Sequence, residues 1–345
     1  MREDVRQDHT GNDGTISKTN ADFEYEWRIH MTEKEFYGSI RDQILDYLPE
    51  EYEGSRVEIH EVMKNNDTKL TGITVVKKDE NAAPIIYLNR PYEGYQNGQS
   101  MEDICAQLSE VIRSYEGLDA PLRNLDLKYD SVRDDLRVKL VNNKTNHKLL
   151  KESVNMPVGC GYSFVPYIDL KMDGLDGAMI RITHELASKF GCSEDQIVED
   201  AVKGSEEHDG AKLCRIEDVL FADSPDDLLR TDNSYETFTT PLVLTNETGV
   251  LGASVLFLPG MQQKISESIG GGYYALPSSV HEMLIMPDST EMGPDDLVRM
   301  VRDVNQTMVD PEEQLGSKVL RYDPEINHMS IAADLDRTRS RVAER

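Results

Sequence analysis

Apolar positions recur along this chain with two alternating periods. Phe36, Ile40, Ile44 and Leu48 fall every four residues, with Tyr37 and Tyr47 beside them, which predicts one buried helix face. Thr32 and Glu35 have capping-box spacing, in which each side chain satisfies an open backbone amide, and Pro49 marks the stop. Three β-rich runs follow at 57–63, 70–76 and 84–88, with Asn65-Asn66-Asp67 supplying turn chemistry after the first. From Ser100 the period lengthens again. Met101, Ile104, Cys105, Leu108, Val111, Ile112 and Tyr115 fit a second amphipathic helix. Residues 30–120 therefore read as a small α+β unit, an antiparallel meander between helices.

A linker at 117–123 separates it from a larger unit, 125–325. There, strands are expected at 136–141, 167–172, 178–182, 241–245, 250–258, 273–276, 280–286 and 319–322. Short or capped helices are expected at 146–152, after Ser193 with Ile197, Val198, Ala201 and Val202 inward, and at 261–269. Gly293-Pro294 opens a last helix with Leu297, Met300, Val301, Val304 and Met308 as its stripe. Residues 204–236 are acidic and weakly periodic and should be the least regular. The polar segments 1–28 and 334–345 read as tails, the first disordered. The fold class is α+β: mixed, largely antiparallel sheets with helices packed on them, without the glycine fingerprint of a dinucleotide fold.

Charge narrows the partners. Among 345 residues, 64 acids oppose 37 bases, for a net charge of −27. Such a surface repels phosphate backbones and anionic membranes and suits a basic protein partner. Imitation of nucleic acid would be the exception, but the acids are spread along the chain as on ordinary solvated faces. No apolar run approaches the roughly 20 residues of a membrane span, and the opening residues lack the apolar core of a signal peptide. The cytoplasm is the expected compartment. Cys105, Cys160, Cys192 and Cys214 lie far apart, so reduced structural thiols are expected rather than zinc. The Asn-x-Thr triplets at Asn246 and Asn305 then read as chance matches.

Each candidate motif has a plainer reading. His184-Glu185 resembles half a zinc-peptidase helix, but Ser188 stands where the second histidine is needed. Gly159-Cys160-Gly161-Tyr162-Ser163 lacks the third glycine of a dinucleotide loop and the closing glycine of a nucleophile elbow. Cys160 is a nucleophile only if a base such as His281 comes near. Gly270-Gly271-Gly272 precedes Tyr273-Tyr274 and a strand rather than Lys, Ser or Thr and a helix, so it reads as a flexible connection. The densest reactive cluster is Pro277-Ser278-Ser279-Val280-His281-Glu282. On a strand, Ser279 and His281 would face one side, and Ser278 and Glu282 the other, so no triad forms within the segment. Tyr92 and Tyr95 fall in an expected loop, either as a contact surface or packed on the meander. No cofactor and no metal are expected.

Several of these segments carry a resemblance. They include Ile86-Tyr87-Leu88 with Tyr92 and Tyr95, Leu140-Val141-Asn142 with Asn146 and Leu149-Leu150, and Leu242-Val243-Leu244-Thr245-Asn246. Gly252-Ala253, Leu276-Pro277-Ser278-Ser279-Val280-His281-Glu282 and Val304-Asn305-Gln306-Thr307 complete the set. Across about residues 32–325 the chain resembles an uncharacterised family of clostridial, largely gut-bacterial proteins, domain-of-unknown-function family 5688. The resemblance implies a bacterial, cytoplasmic origin and brings no activity and no catalytic residue.

The first functional expectation is a non-enzymatic binding or regulatory protein. The alternative is a hydrolase or transferase assembled around His281 and Glu282, with Ser278, Ser279 or Cys160 as the remaining catalytic candidates. An accessory domain of a mobile element is a third.

Overall fold

A computed structural model describes residues 31–78, 80, 83–115, 127–170, 178–222, 225–231, 238–277 and 279–334. The expected tail 1–28, the linker 117–123, part of 204–236 and Ser278 lie wholly or partly outside them.

Helix α1, Glu33–Gln43, begins at Thr32, whose hydroxyl accepts from Glu35 N–H while Glu35 accepts from Thr32 N–H. It tightens into a 3-10 turn, Ile44–Tyr47, before Pro49. Strands β1, Arg56–Met63, and β2, Lys69–Val76, form an antiparallel hairpin, and β3, Ile86–Tyr87, pairs with β2. Helix α2, Asn89–Gln96, replaces the expected loop. Pro91 sits in its first turn, where a missing N–H costs nothing, so it is compatible with a helix. Helix α3, Met101–Ser114, starts on the Ser100 cap. Phe36, Ile40, Ile73, Leu88, Ile104, Cys105 and Leu108 form a core of their own under these helices.

The next elements are α4, Tyr129–Val132; β4, Leu136–Asn142; α5, His147–Glu152; β5, Met156–Gly159; β6, Tyr162–Asp169; and β7, Met179–Arg181. Strand β6 pairs with β4 along one edge and with β5 and β7 along the other, all antiparallel. Gly159-Cys160-Gly161 is the β5–β6 hairpin turn, all at positive φ. Glycines on either side allow this backbone, which explains the glycine pattern without a phosphate or a nucleophile. Helices α6, His184–Phe190, and α7, Glu194–His208, follow, capped by Thr183 and Ser193. Gly204 lets α7 lie against β4: a Cβ there would stand 2.2 Å from Leu136 O.

The third sheet has the order β13–β12–β10–β11–β9–β8. Its members are β8, Ala211–Arg215; β9, Leu242–Asn246; β10, Tyr273–Leu276; β11, Met283–Pro287; β12, Lys318–Asp323; and β13, His328–Asp334. Helices α8, Ile216–Phe221, α9, Met261–Ile269, and α10, Pro294–Met308, connect them. The region expected to be least regular thus holds β8 and α8. Strand β13 reaches Asp334, the first residue of the expected tail 334–345, whose other residues lie outside those described.

Two further corrections concern apolar runs. Residues 250–258 are not a strand. Leu251 takes φ 56° and Gly252–Phe257 form a 3-10 helix buried over most of its length. A short apolar run has no period to separate strand from buried helix. Gly252 fixes the outcome, since a Cβ would stand 2.3 Å from Thr245 Oγ1 and 2.7 Å from His281 O. The strand expected at 280–286 begins only at Met283.

The second and third sheets share the main core. Leu136, Val138, Leu140 and Phe164 from one meet Leu244, Ala275, Ile285 and Tyr322 from the other, with Val255 and Leu256 of the 3-10 helix between. On the far face of the third sheet, Leu297, Val298 and Val301 of α10 pack on Leu276, Met286 and Val319. Strand β11 is therefore covered on both faces, as its unbroken apolar run predicts. The observed class is α+β, with antiparallel sheets and helices packed against them.

Candidate functional site

The segment Ser279–Glu282 is irregular backbone leading into β11. Ser279 forms an isolated bridge with Gln314, and Val280 N–H donates to Glu313 O at 2.8 Å. The Ser279 hydroxyl is buried and accepts from the His281 backbone N–H at 3.0 Å, so it braces a turn instead of meeting the imidazole. The imidazole Nδ1 accepts from Leu251 N–H at 3.3 Å, and Nε2 stands 3.5 Å from Glu313 Oε1. His281 O accepts from Thr245 Oγ1 at 2.8 Å. Glu282 is half-exposed and makes no hydrogen bond or ion pair among the described residues. The alternation argued for a strand does not apply here, because Ser279, His281 and Glu282 precede β11. The histidine does have a carboxylate neighbour, Glu313, which the sequence could not identify across 32 residues of chain.

Cys160 lies in another hairpin. Its thiol points at Met329 O at 3.6 Å, and its carbonyl accepts from Lys318 Nζ at 3.1 Å. Burial pushes the thiol up, and Lys318 opposes this only in part. A thiol held protonated is a poor nucleophile. Cys105 and Cys214 are raised by burial as well, and all four cysteines are free. Tyr92 and Tyr95 pack back on the meander. Their ring centroids lie 5.2 Å from that of Phe36, and their hydroxyls bond Met31 O and Met31 N–H.

The hairpin tip between β1 and β2 does more than turn. Asn66 and Asp67 take φ 62° and 50° and reach the rest of the molecule. Asn66 Nδ2 donates to Pro311 O and Gln314 O, both at 2.7 Å, and its N–H donates to Asn146 Oδ1 at 2.8 Å. The Asp67 carboxylate accepts from Lys148 N–H and Leu149 N–H. It caps α5 from outside, since Asn146 at the N-cap makes no side-chain cap bond of its own. Arg90 adds an ion pair with Asp310. Gln314 bonds this tip and also pairs with Ser279, so the His281 segment backs the joint.

Two other features were not singled out in the sequence. A pocket of about 190 Å³ is lined by Arg133, Asp134, Asp200, Lys203, Glu207 and His208. Its charges largely neutralise one another. Burial raises the Asp200 carboxyl, but hydrogen bonds from Arg133, Tyr129 and Gln196 outweigh it and hold it low. The second feature is the end of α8, where Val219, Leu220 and Phe221 are 46%, 65% and 85% exposed. A run of three exposed apolar side chains is unusual on a highly charged surface. The sequence signal was present, an apolar triplet inside an acidic stretch, but weak periodicity hid whether it faced in or out. Among the described residues no group of three or more His, Cys, Asp or Glu could hold a metal, and no helix is long and apolar enough to cross a membrane.

The fold and these contacts define an α+β protein of antiparallel sheets whose parts are locked by asparagine side chains. Residues 33–324 match the model of a family of unknown function (DUF5688), and the chain belongs to that family. No curated protein and no solved structure matches it.

Proposed function

We propose that this is a non-enzymatic binding protein of the bacterial cytoplasm that holds a basic, amphipathic protein segment against the exposed end of α8. The observation that carries the reading is Val219-Leu220-Phe221, apolar and open to solvent beside the edge strand β8. Glu217, Asp218, Asp226 and Asp227 surround it in sequence, and Arg215, beside them, is paired with Asp218 at 3.6 Å. An apolar anchor flanked in sequence by acids complements a partner with leucines on one face and lysines on the other. The acidic whole-molecule balance steers such a partner in and disfavours duplex DNA and anionic membranes. Free, mostly raised thiols suit a reducing compartment. The alternative hydrolase or transferase around His281 and Glu282 has Glu313 in its favour. It is weaker, because Nδ1 is occupied by Leu251 N–H and Ser279 Oγ by the His281 amide.

The test is titration of a labelled synthetic helix, lysine on one face and leucine on the other, followed by fluorescence anisotropy. Binding should weaken with salt and fall at least about tenfold in Leu220→Asp and Phe221→Asp, as loss of an apolar anchor demands. Unchanged affinity in both variants, or self-association of the wild type through this patch, would overturn the reading.

A further inference from the structure

Strand β4 carries Lys139 on the face opposite the main core, between Arg137 and Val141. In the antiparallel register Lys139 lies beside Val165, and Arg181 of β7 lies beside Tyr167, two residues along on the same face. The two long cationic side chains thus stand on one face of the sheet, on either side of β6. A third cation comes from the joint. Lys64 precedes the hairpin tip that docks here, and its ammonium lies 4.6 Å from the Tyr87 ring centroid. It is near enough to act electrostatically on Lys139.

Three cations meeting in a protein of net charge −27 call for an explanation. Their partners do not supply it. The Lys139 ammonium makes no hydrogen bond or ion pair among the described residues. Arg181 has only Glu152, at 3.6 Å, and its Nη1 is buried with no hydrogen-bond partner. The Ser153 hydroxyl is completely buried and also unpartnered. Ser153 follows Glu152 at the end of α5 and pairs with Thr183, two residues beyond Arg181 and on the same side of the strand by alternation. Buried donors without acceptors are costly, and these two, next to each other across the Ser153–Thr183 bridge, leave room for an incoming acceptor. Burial first, then Arg181 and Lys64, push the Lys139 ammonium down to about 8. An incoming negative charge would reverse that.

We infer that Lys139, Arg181, Lys64 and the Ser153 hydroxyl form a binding site for a small tetrahedral oxyanion of phosphate size. Arginine offers the planar donor pair and lysine the point charges that such an anion needs, and the serine hydroxyl supplies a neutral donor. Glu152, the carboxylate paired with Arg181, turns from a weak partner into a competitor. Ser153 is fully buried at the inner end of the cluster, so the site takes the free anion in preference to the same group on a larger body. This inference is independent of the α8 surface.

The experiment measures thermal unfolding of the full chain in phosphate-free buffer at constant ionic strength, titrated with inorganic phosphate, with sulfate and with adenosine monophosphate. Phosphate and sulfate should raise the melting temperature saturably, as a ligand of the native state does, and sodium chloride and the nucleotide should not. Lys139→Met and Arg181→Gln should each weaken the effect about tenfold, the loss of one charge-assisted hydrogen bond. Lys64→Ala, on the hairpin and outside the sheet, gives the same readout if either core variant fails to fold. A response no larger than that to chloride, or the same response in Lys64→Ala and the sheet variants as in the wild type, overturns the site. A nucleotide response equal to that of phosphate overturns the free-anion form of the inference.

Discussion

Arg137 is 1% exposed, one of the largest buried side chains in the protein. Its Nε donates to Asp209 at 3.0 Å, and its Nη1 donates to Asp134 O and Leu136 O. Breaking such a pair from one side costs more than forming it gains, because the remaining charge stays buried. Arg137→Ala should therefore lose about 3 kcal/mol in urea unfolding at pH 7. Burial already raises the Asp209 carboxyl, and Arg137 is among the groups that hold it down. Without the arginine it rises further. A carboxyl whose folded value exceeds its unfolded value costs stability as pH rises through that window, so the deficit should shrink toward pH 4. Asp209→Asn in the same background should restore part of the loss, and a pH-independent deficit would count against the pairing. His281 makes a smaller case. His281→Ala removes the acceptor for Leu251 N–H, in a residue 9% exposed and at positive φ. The cost should be about 1 kcal/mol, a drop of a few degrees in Tm. An unchanged Tm would deny the imidazole its bracing role.

At the scale of elements, the joint is where local and distant information meet. Asp67 caps α5 across 81 residues of sequence, so a hairpin tip completes a helix it does not belong to. Asp67→Ala should cost about 1 kcal/mol, the usual worth of a cap. Hydrogen exchange at the Lys148 and Leu149 amides should speed up while β6 amides keep their protection. Equal acceleration everywhere would mean that the cap acts only through global stability. The turn residues themselves were readable, since Asn and Asp in sequence tolerate positive φ. Their partners were not, because nothing local marks Gln314 or Asn146 as the other half. The helices with four-residue spacing and capping residues, α1, α3, α7 and α10, were legible for the same reason: their signal lies within one turn. The run at 250–258 was not, being buried on too many sides to keep a period. The cation cluster was still less visible, since Lys64, Lys139 and Arg181 come together only through sheet register. Several positions that carry the family resemblance, among them Asn142, Asn146, Thr245, Gly252 and Asn305, turn out to hold backbone hydrogen bonds or close approaches. That accounts for their pattern without a catalytic role.

At the scale of the whole molecule, the net charge of −27 acts on the fold as well as on partners. Like charges spread over one surface repel one another in the compact state, and mobile ions screen that repulsion over about 8 Å at physiological salt. Most ion pairs here are exposed, as with Lys189–Glu185 and Arg299–Asp296, and contribute little that salt could take away. Screening should win, so raising sodium chloride from about 0.05 to about 0.5 M should raise Tm. The same balance sets the response to nucleic acid. Binding to a duplex draws its strength from releasing counterions held by phosphates, which requires an array of cations on an accessible face. The three cations proposed to hold one oxyanion, Lys64, Lys139 and Arg181, are flanked by Glu152 and are too few for such an array. A filter-binding or anisotropy titration against random duplex DNA at about 0.15 M salt should therefore give a dissociation constant weaker than about 100 μM, at or beyond the weak end of non-specific binders. Sub-micromolar binding would contradict this reading of the charge balance. It would also reverse the choice of a basic partner, because a surface that attracts duplex DNA cannot also attract a lysine-rich helix.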